Sequence, residues 1–240
     1  MLAYANPTRF MKLSSIVLPW CIALTIGLLA VGLYLSLFVA PPDYQQGETV
    51  RIMFIHVPAA WMAVFVYSIM ALASLIALVW KHPLADMAAK AAAPIGACFT
   101  FLALVTGSLW GKPMWGTWWV WDARLTSVLI LFLLYLGYMA IWQAIEEPVR
   151  AGRIAAILAL VGFVNVPIIK FSVEWWNSLH QSASILRVGG PSIHSSILTP
   201  LLVMIVAYSM LFLVLHLINI RREILKRRIR SMRLAQVDAV

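Results

Sequence analysis

Leu125-Thr-Ser-Val-Leu-Ile-Leu-Phe-Leu-Leu-Tyr-Leu-Gly-Tyr-Met-Ala-Ile-Trp-Gln-Ala-Ile145 runs for 21 residues without a charged side chain, between Arg124 and Glu146. About 20 apolar residues in helical geometry cross the hydrocarbon of a bilayer. The same test along the chain finds uncharged gaps of 30 residues after Lys12, 29 after Arg51, 21 after Lys90, 16 after Arg153 and 33 after Arg187. The gap of 16 ends at Lys170. A lysine at mid-bilayer costs about 2.5–3.5 kcal/mol, so Lys170 marks a helix end from which its ammonium snorkels to water. The chain is therefore expected to be an all-α, polytopic integral membrane protein with six transmembrane helices. One six-helix membrane domain accounts for the whole chain, with spans at about 16–40, 54–80, 88–109, 126–145, 154–172 and 197–220.

Composition supports this reading. Of 240 residues, 63% are apolar and 11% charged, against about 45–50% and 25% in soluble domains. An open sheet would leave edge groups unpaired in lipid, and a barrel would alternate in segments of about ten residues. Cys21 and Cys98 stand alone in apolar runs, without the spacing of zinc sites or c-type haem attachment. The first run follows Arg9 and Lys12 like a signal peptide. It is too long for an h-region and lacks a small-residue cleavage site, so it reads as a retained helix.

Six spans put both termini on one side. With that side inside, thirteen of the 18 lysines and arginines are inner and five outer, the bias of the positive-inside rule. The basic inner tail, 221–240, reads as an anchor at anionic membrane lipid and not as a nucleic-acid site. Both termini are then cytoplasmic. No phosphate-binding loop is present, so any energy source belongs to a partner and chemistry is expected on the outer face.

The outer tryptophan-rich loop, 110–125, holds Trp110, Trp115, Trp118, Trp119 and Trp121, five of the eleven tryptophans. Trp175 and Trp176 lie in a second outer loop, 173–196. A simple interfacial belt would divide indoles between both sides, whereas seven are outer and three inner. Gly111, Pro113 and Gly116 should interrupt the helix leaving the third span. Beyond them Trp115, Trp118, Trp119 and Asp122 fall at i, i+3, i+4 and i+7. That spacing predicts short interfacial helices in the outer loops, with one face forming a flat apolar platform for a planar ligand.

Of the five histidines, His56 and His180 bracket this loop from separate segments. His56 should sit just outside a helix that Pro58 begins, and Val173, Trp176 and His180 could share a helical face. Two neutral imidazoles beside an aromatic platform fit axial ligation of haem iron. The haem propionates need cations. Arg51, Lys112, Arg124 and Arg187 are candidates, with Arg124 preferred for a carboxylate fork. Asp122 would either hold Arg124 or orient a ligating imidazole.

Trp115-Gly-x-Trp118-x-x-Trp121-Asp122 resembles the tryptophan-rich signature of the haem-handling proteins of cytochrome c biogenesis. The longer run from Trp110 to Ser127 is similar to that of the haem exporter protein C (CcmC) family. So are Pro41-x-Asp-Tyr-Gln-Gln-Gly47, His56-Val-Pro-Ala-Ala60 and Ser172-Val-Glu-Trp-Trp-Asn-x-Leu-His-Gln181. The resemblance covers about Ala40 to Gln181. It implies that haem b (iron protoporphyrin IX) binds at the periplasmic face of the bacterial inner membrane, with His56 and His180 as axial ligands. It further implies delivery of haem to the periplasmic chaperone CcmE, beside CcmD and the ATP-binding cassette pair CcmA and CcmB. The expected role is a haem carrier and not an enzyme. A subunit that moves haem across the bilayer is the rival reading, with Asn165-Val-Pro167 and Pro94-Ile-Gly96 as its only hints.

Overall fold

In the computed structural model, which describes residues 6–181, 184, 185 and 187–237, the chain is helical almost throughout. Residues 182, 183 and 186 of the expected histidine loop, and 238–240 of the expected basic tail, lie outside the described residues. Six helical segments are long and apolar enough to cross a membrane. They are α1 (Pro7–Tyr34, prolonged by a π-helical turn, Leu35–Val39), α2 (Met53–Trp80, preceded by the 3₁₀ turn Glu48–Ile52), α3 (Pro83–Trp115), α4 (Ala123–Ala144), the pair α5 (Pro148–Gly162) and α6 (Asn165–Trp175), and α7 (Ser195–Val237). Among the described residues there is no strand, only an isolated bridge between Asp43 and Gly47.

The starts of these helices follow from local chemistry. Asn6, His82 and Asp122 each accept a backbone N–H from the first turn of α1, α3 and α4, satisfying donors that a helix start otherwise leaves unpaired. The break between α5 and α6 has an equally local cause. Pro167 has no N–H to return to Phe163, and the Val166 amide takes the Phe163 carbonyl at 3.0 Å. The buried Asn165 amide then donates to the Ser127 carbonyl at 2.8 Å, tying the break to α4.

Helices α2 and α3 form the most extensive pairing. Lipid tails are as apolar as leucine, so close fit and interhelical hydrogen bonds hold such helices together. Gly96 of α3 illustrates the fit: a Cβ there would lie 2.2 Å from the Tyr135 ring. That approach lets the wholly buried Tyr135 hydroxyl donate to the Ala63 carbonyl at 2.8 Å. Tyr67 packs edge-on against Tyr135 and its hydroxyl fills the space a Cβ of Gly162 would need. Helix α1 packs mainly on α7 and buries only Ser14, Thr25 and Gly32 along its length. At the basic end, Arg221 of α7 donates to the Met11 carbonyl and the Ser14 hydroxyl. Helix α7 continues unbroken through the basic tail to Val237.

Candidate functional site

The tryptophan loop is built differently from its spacing. Helix α3 continues through Gly111 and Pro113 to Trp115, because the Trp115 ring folds back onto Gly111, where a Cβ would stand 3.0 Å away. Gly116 then ends the helix with φ 77°, its amide bonded to the Lys112 carbonyl. Only glycine adopts that left-handed cap without a Cβ penalty. The short helix expected over Trp115, Trp118, Trp119 and Asp122 does not form. The Thr117 hydroxyl bonds the Trp119 carbonyl at 3.1 Å, and this local turn competes with helical pairing. Trp118 and Trp121 are consequently exposed, at 55% and 75%. The Lys112 ammonium lies 5.8 Å above the Trp118 ring, and Trp119 meets Trp121 edge-on at 5.5 Å. The half-buried Trp119 has no acceptor for its Nε1–H among the described residues.

His56 also departs from expectation. Helix α2 begins at Met53, so His56 lies in its first turn and Pro58 lies inside the helix. The preceding 3₁₀ turn carries the chain into the helix early, and Arg51 pins that turn to Glu48 and the Ser36 carbonyl. The His56 ring lies against α3: Nδ1 is 3.1 Å from the Thr106 hydroxyl, and Trp110 meets the ring edge-on at 5.6 Å. A Cβ on Gly107 would stand 2.9 Å from His56 Cε1, so the ring occupies space a larger residue would take. Trp110 is itself held by its Nε1–H, which donates to Gln46.

The helical face expected of Val173, Trp176 and His180 is absent, since α6 ends at Trp175 and Trp176 is extended at φ −134°, ψ 156°. Trp175 stacks on Phe171 and meets Trp176 edge-on, and both indoles are exposed. His180 is carried back by the following irregular chain to Trp115, edge-on at 4.8 Å. Asp122 fixes it there. One carboxylate oxygen caps α4 by accepting from the Leu125 amide at 2.7 Å. The other accepts from the Ser178 hydroxyl at 2.6 Å and lies 3.4 Å from His180 Nδ1.

Arg124 does not pair with Asp122. Its guanidinium donates to the Ser172 hydroxyl and to the Ile169 and Lys170 carbonyls, strapping the start of α4 to the end of α6. Of the two roles expected for Asp122, the hydrogen-bond geometry serves the imidazole. Burial alone pushes the Asp122 carboxyl up, but the Ser178 hydroxyl, the Leu125 amide and His180 together hold it below its ordinary value of 3.8. Burial lowers the His180 imidazole, and Arg124 adds to this, against an opposing pull from Asp122. His180 is therefore neutral at pH 7, and its contact with Asp122 is a hydrogen bond, not an ion pair.

His56 and His180, 124 positions apart, share one end of the bundle. Each meets a tryptophan at the end of α3, and the Arg124 charge acts on both. Trp110 and Trp115 are five residues apart on that helix, about 7.5 Å of rise. Among the described residues, no ring contact joins Trp175 and Trp176 to the tryptophan loop, and no three His, Cys, Asp or Glu side chains converge as a bare metal ion requires. An iron that already carries four ring nitrogens needs only two further ligands. Sequence reading missed Thr106, Gly107, Gln46 and Ser178. Ser178 stood as the unassigned position of Asn-x-Leu-His, where a hydroxyl two residues before a histidine was the available signal. Gln46 stood unassigned within Asp-Tyr-Gln-Gln-Gly47, while Thr106 and Gly107 act across segments and left none.

Comparison with known proteins gives one family. The family model described as heme exporter protein C matches residues 1–235. A protein of Bradyrhizobium diazoefficiens named heme exporter protein C is 65% identical over 234 residues, covering 98% of this chain and 89% of that one. Proteins of the same name from Paracoccus denitrificans (47% over 230 residues, 95% of each chain) and Escherichia coli K12 (48% over 221 residues, 92% and 89%) are also similar.

Proposed function

The chain belongs to the heme exporter protein C family, and from that premise we propose that it holds haem at the tryptophan end of the bundle and hands it to the chaperone CcmE during cytochrome c maturation. It is a multi-pass membrane protein of haem transport. In this reading haem is cargo. His56 and His180 are its axial ligands, and Trp110, Trp115, Trp118, Trp119, Trp121, Trp175 and Trp176 form the apolar surround. Arg124, whose charge reaches both imidazoles, is the propionate partner we assign. The end that carries the site faces the periplasm and the basic end the cytoplasm of the inner membrane. CcmD and the CcmA–CcmB pair complete the assembly.

One observation carries the reading: two histidines from distant segments reach the same helix end, each held edge-on by a tryptophan. A transferable cargo also sets a physical condition, since full burial would oppose release. The exposed Trp118, Trp121, Trp175 and Trp176 supply stacking area while leaving one ring edge open to an acceptor. Stacking on an aromatic side chain is sequence-tolerant, sizeable and reversible, worth about 0.5–1.5 kcal/mol per ring pair beyond area burial. The test is the visible spectrum of the protein purified in detergent, oxidised and reduced, beside His56→Ala and His180→Ala. Two-imidazole haem that is weakened or altered in each variant is expected. A spectrum indifferent to both changes refutes the ligand assignment.

A further inference from the structure

The five histidines sort by what faces Nδ1. In His82 this nitrogen accepts from the Ala85 amide at 3.3 Å, and in His194 from the Ser196 amide at 3.3 Å. Both cap helix starts, and an Nδ1 that accepts leaves the ring proton on Nε2. His216, stacked on Phe212, has no partner for Nδ1 among the described residues. His56 and His180 are the reverse case.

Beside His56, the Thr106 hydroxyl gives its single proton to the Leu102 carbonyl at 2.6 Å. Toward His56 Nδ1, 3.1 Å away, that oxygen can only accept. The Ala103 carbonyl, 3.4 Å from the same hydroxyl, is a further acceptor beside the ring. Beside His180, the Ser178 hydroxyl gives its proton to Asp122 at 2.6 Å and accepts from the His180 amide. The same Asp122 oxygen that accepts from Ser178 also faces the His180 ring as an acceptor. Both oxygens lie 3.4 Å from His180 Nδ1. In a neutral imidazole facing such partners, the proton sits on Nδ1 and the lone pair is on Nε2.

We propose that Thr106 and the Ser178–Asp122 pair are positioning residues that lock His56 and His180 in the Nδ1–H tautomer, presenting a bare Nε2 from each as the ligand atom, while His82 and His194 are held in the opposite tautomer and excluded as ligands. The proposal deepens the haem-binding reading and rests on it for the purpose of the lock, though the tautomers themselves belong to the protein without cargo. The two locks are unlike in kind. One is a neutral hydroxyl whose hydrogen is committed within its own helix; the other is a carboxylate shared with a helix cap. An Nδ1–H donated to an acceptor raises the basicity of the other nitrogen, more so when the acceptor is charged. His180 is thus the stronger donor of the two.

The experiment has two arms. In the first, the full chain carrying ring-¹⁵N histidine is studied without haem in a lipid nanodisc, with resonances assigned by single His→Gln variants. The expected result is a pyridine-type Nε2 for His56 and His180 and a pyridine-type Nδ1 for His82 and His194. A pyridine-type Nδ1 at His56 or His180 overturns the proposal. In the second arm, Thr106→Val and Ser178→Ala are titrated with haem and their midpoint potentials measured. Removing an acceptor should weaken haem by about 10–100-fold and raise the potential, because a less basic imidazole favours the oxidised iron less. Thr106→Ser should restore both properties. Loss of affinity with an unmoved potential and no rescue by serine would reduce these residues to packing and overturn the proposal. Should the first arm give the expected tautomers while His56→Ala and His180→Ala leave the haem spectrum unchanged, the ligand assignment fails and the tautomer lock stands.

Discussion

His56 and His180 sit at the same end of the molecule, yet one is a post and the other an arm. His56 projects from the first turn of α2, the helix most extensively packed on α3, and its ring is wedged into space left by Gly107. His180 hangs on irregular chain after α6 and is placed by one carboxylate from the far side of the tryptophan loop. The difference teaches how a site can bind and still release. Moving His56 means unpacking a helix pair, whereas moving His180 means breaking two weak hydrogen bonds and an edge-on ring contact. Release of cargo should therefore begin on the His180 side, with His56 as the fixed ligand.

The largest expected effect tests that asymmetry directly. His56→Ala and His180→Ala should each cost about tenfold or more in haem affinity, and added imidazole should rescue His180→Ala far better, since the His180 side chain is 21% exposed on a loop that can admit a replacement. Equal rescue, read as return of the two-imidazole spectrum, would break the post-and-arm distinction.

Asp122 separates the arm from the helix it is tied to. Asp122→Ala should lose about 1 kcal/mol from the α4 start together with haem affinity. Asp122→Asn should keep the cap and still impair haem, because its amide offers a donor where His180 needs an acceptor. Hydrogen exchange of the first turn of α4, set beside a haem titration, reads the two effects separately.

Gly107→Ala sharpens the post. Its Cβ would meet His56 Cε1 at 2.9 Å, so the ring must shift, and a loss of several-fold in haem affinity is expected while hydrogen exchange around His180 stays unchanged.

The smallest effect is on pH. The folded His180 pKa lies below 6.5, so on acidification the unfolded loop takes its proton first. Ordering of this loop is then fully present above 6.5 and weakens as pH falls from 6.5 through the lower folded value. Asp122 opposes acid in a separate window: its contribution is intact above about 3.8 and fades as pH falls through its depressed folded value. Protection of residues 176–181 against hydrogen exchange, corrected for the intrinsic pH dependence of exchange, should thus begin to fall below pH 6.5 without release of the α4 cap.

Much of this was legible in the residues. The uncharged gaps announced six helices because the cost of a charge in hydrocarbon is paid locally, window by window. The clustering of indoles at 110–121 marked the end of the bundle where His56 and His180 each meet a tryptophan. Helical spacing misled at Trp115, Trp118, Trp119 and Asp122, since Gly116 takes a left-handed cap and the Thr117 hydroxyl bonds its own neighbours. It misled again at His56, where a proline that can begin a helix sits inside one. Arg124 was read as a partner for a propionate or for Asp122, and its guanidinium is found bonded to Ser172 and to the Ile169 and Lys170 carbonyls of α6.

Hydropathy and charge are sums over neighbouring residues, so the chain alone determined its six helical segments long and apolar enough to cross a membrane and the gathering of tryptophans near one end. The state of each imidazole is a different kind of quantity. It depends on atoms within about 3.5 Å, and those atoms come from Thr106, 50 positions from His56, and from Asp122, 58 positions from His180. Only the packing of α2 on α3, and the return of the loop after α6 to the start of α4, decided which nitrogen of each histidine is left free.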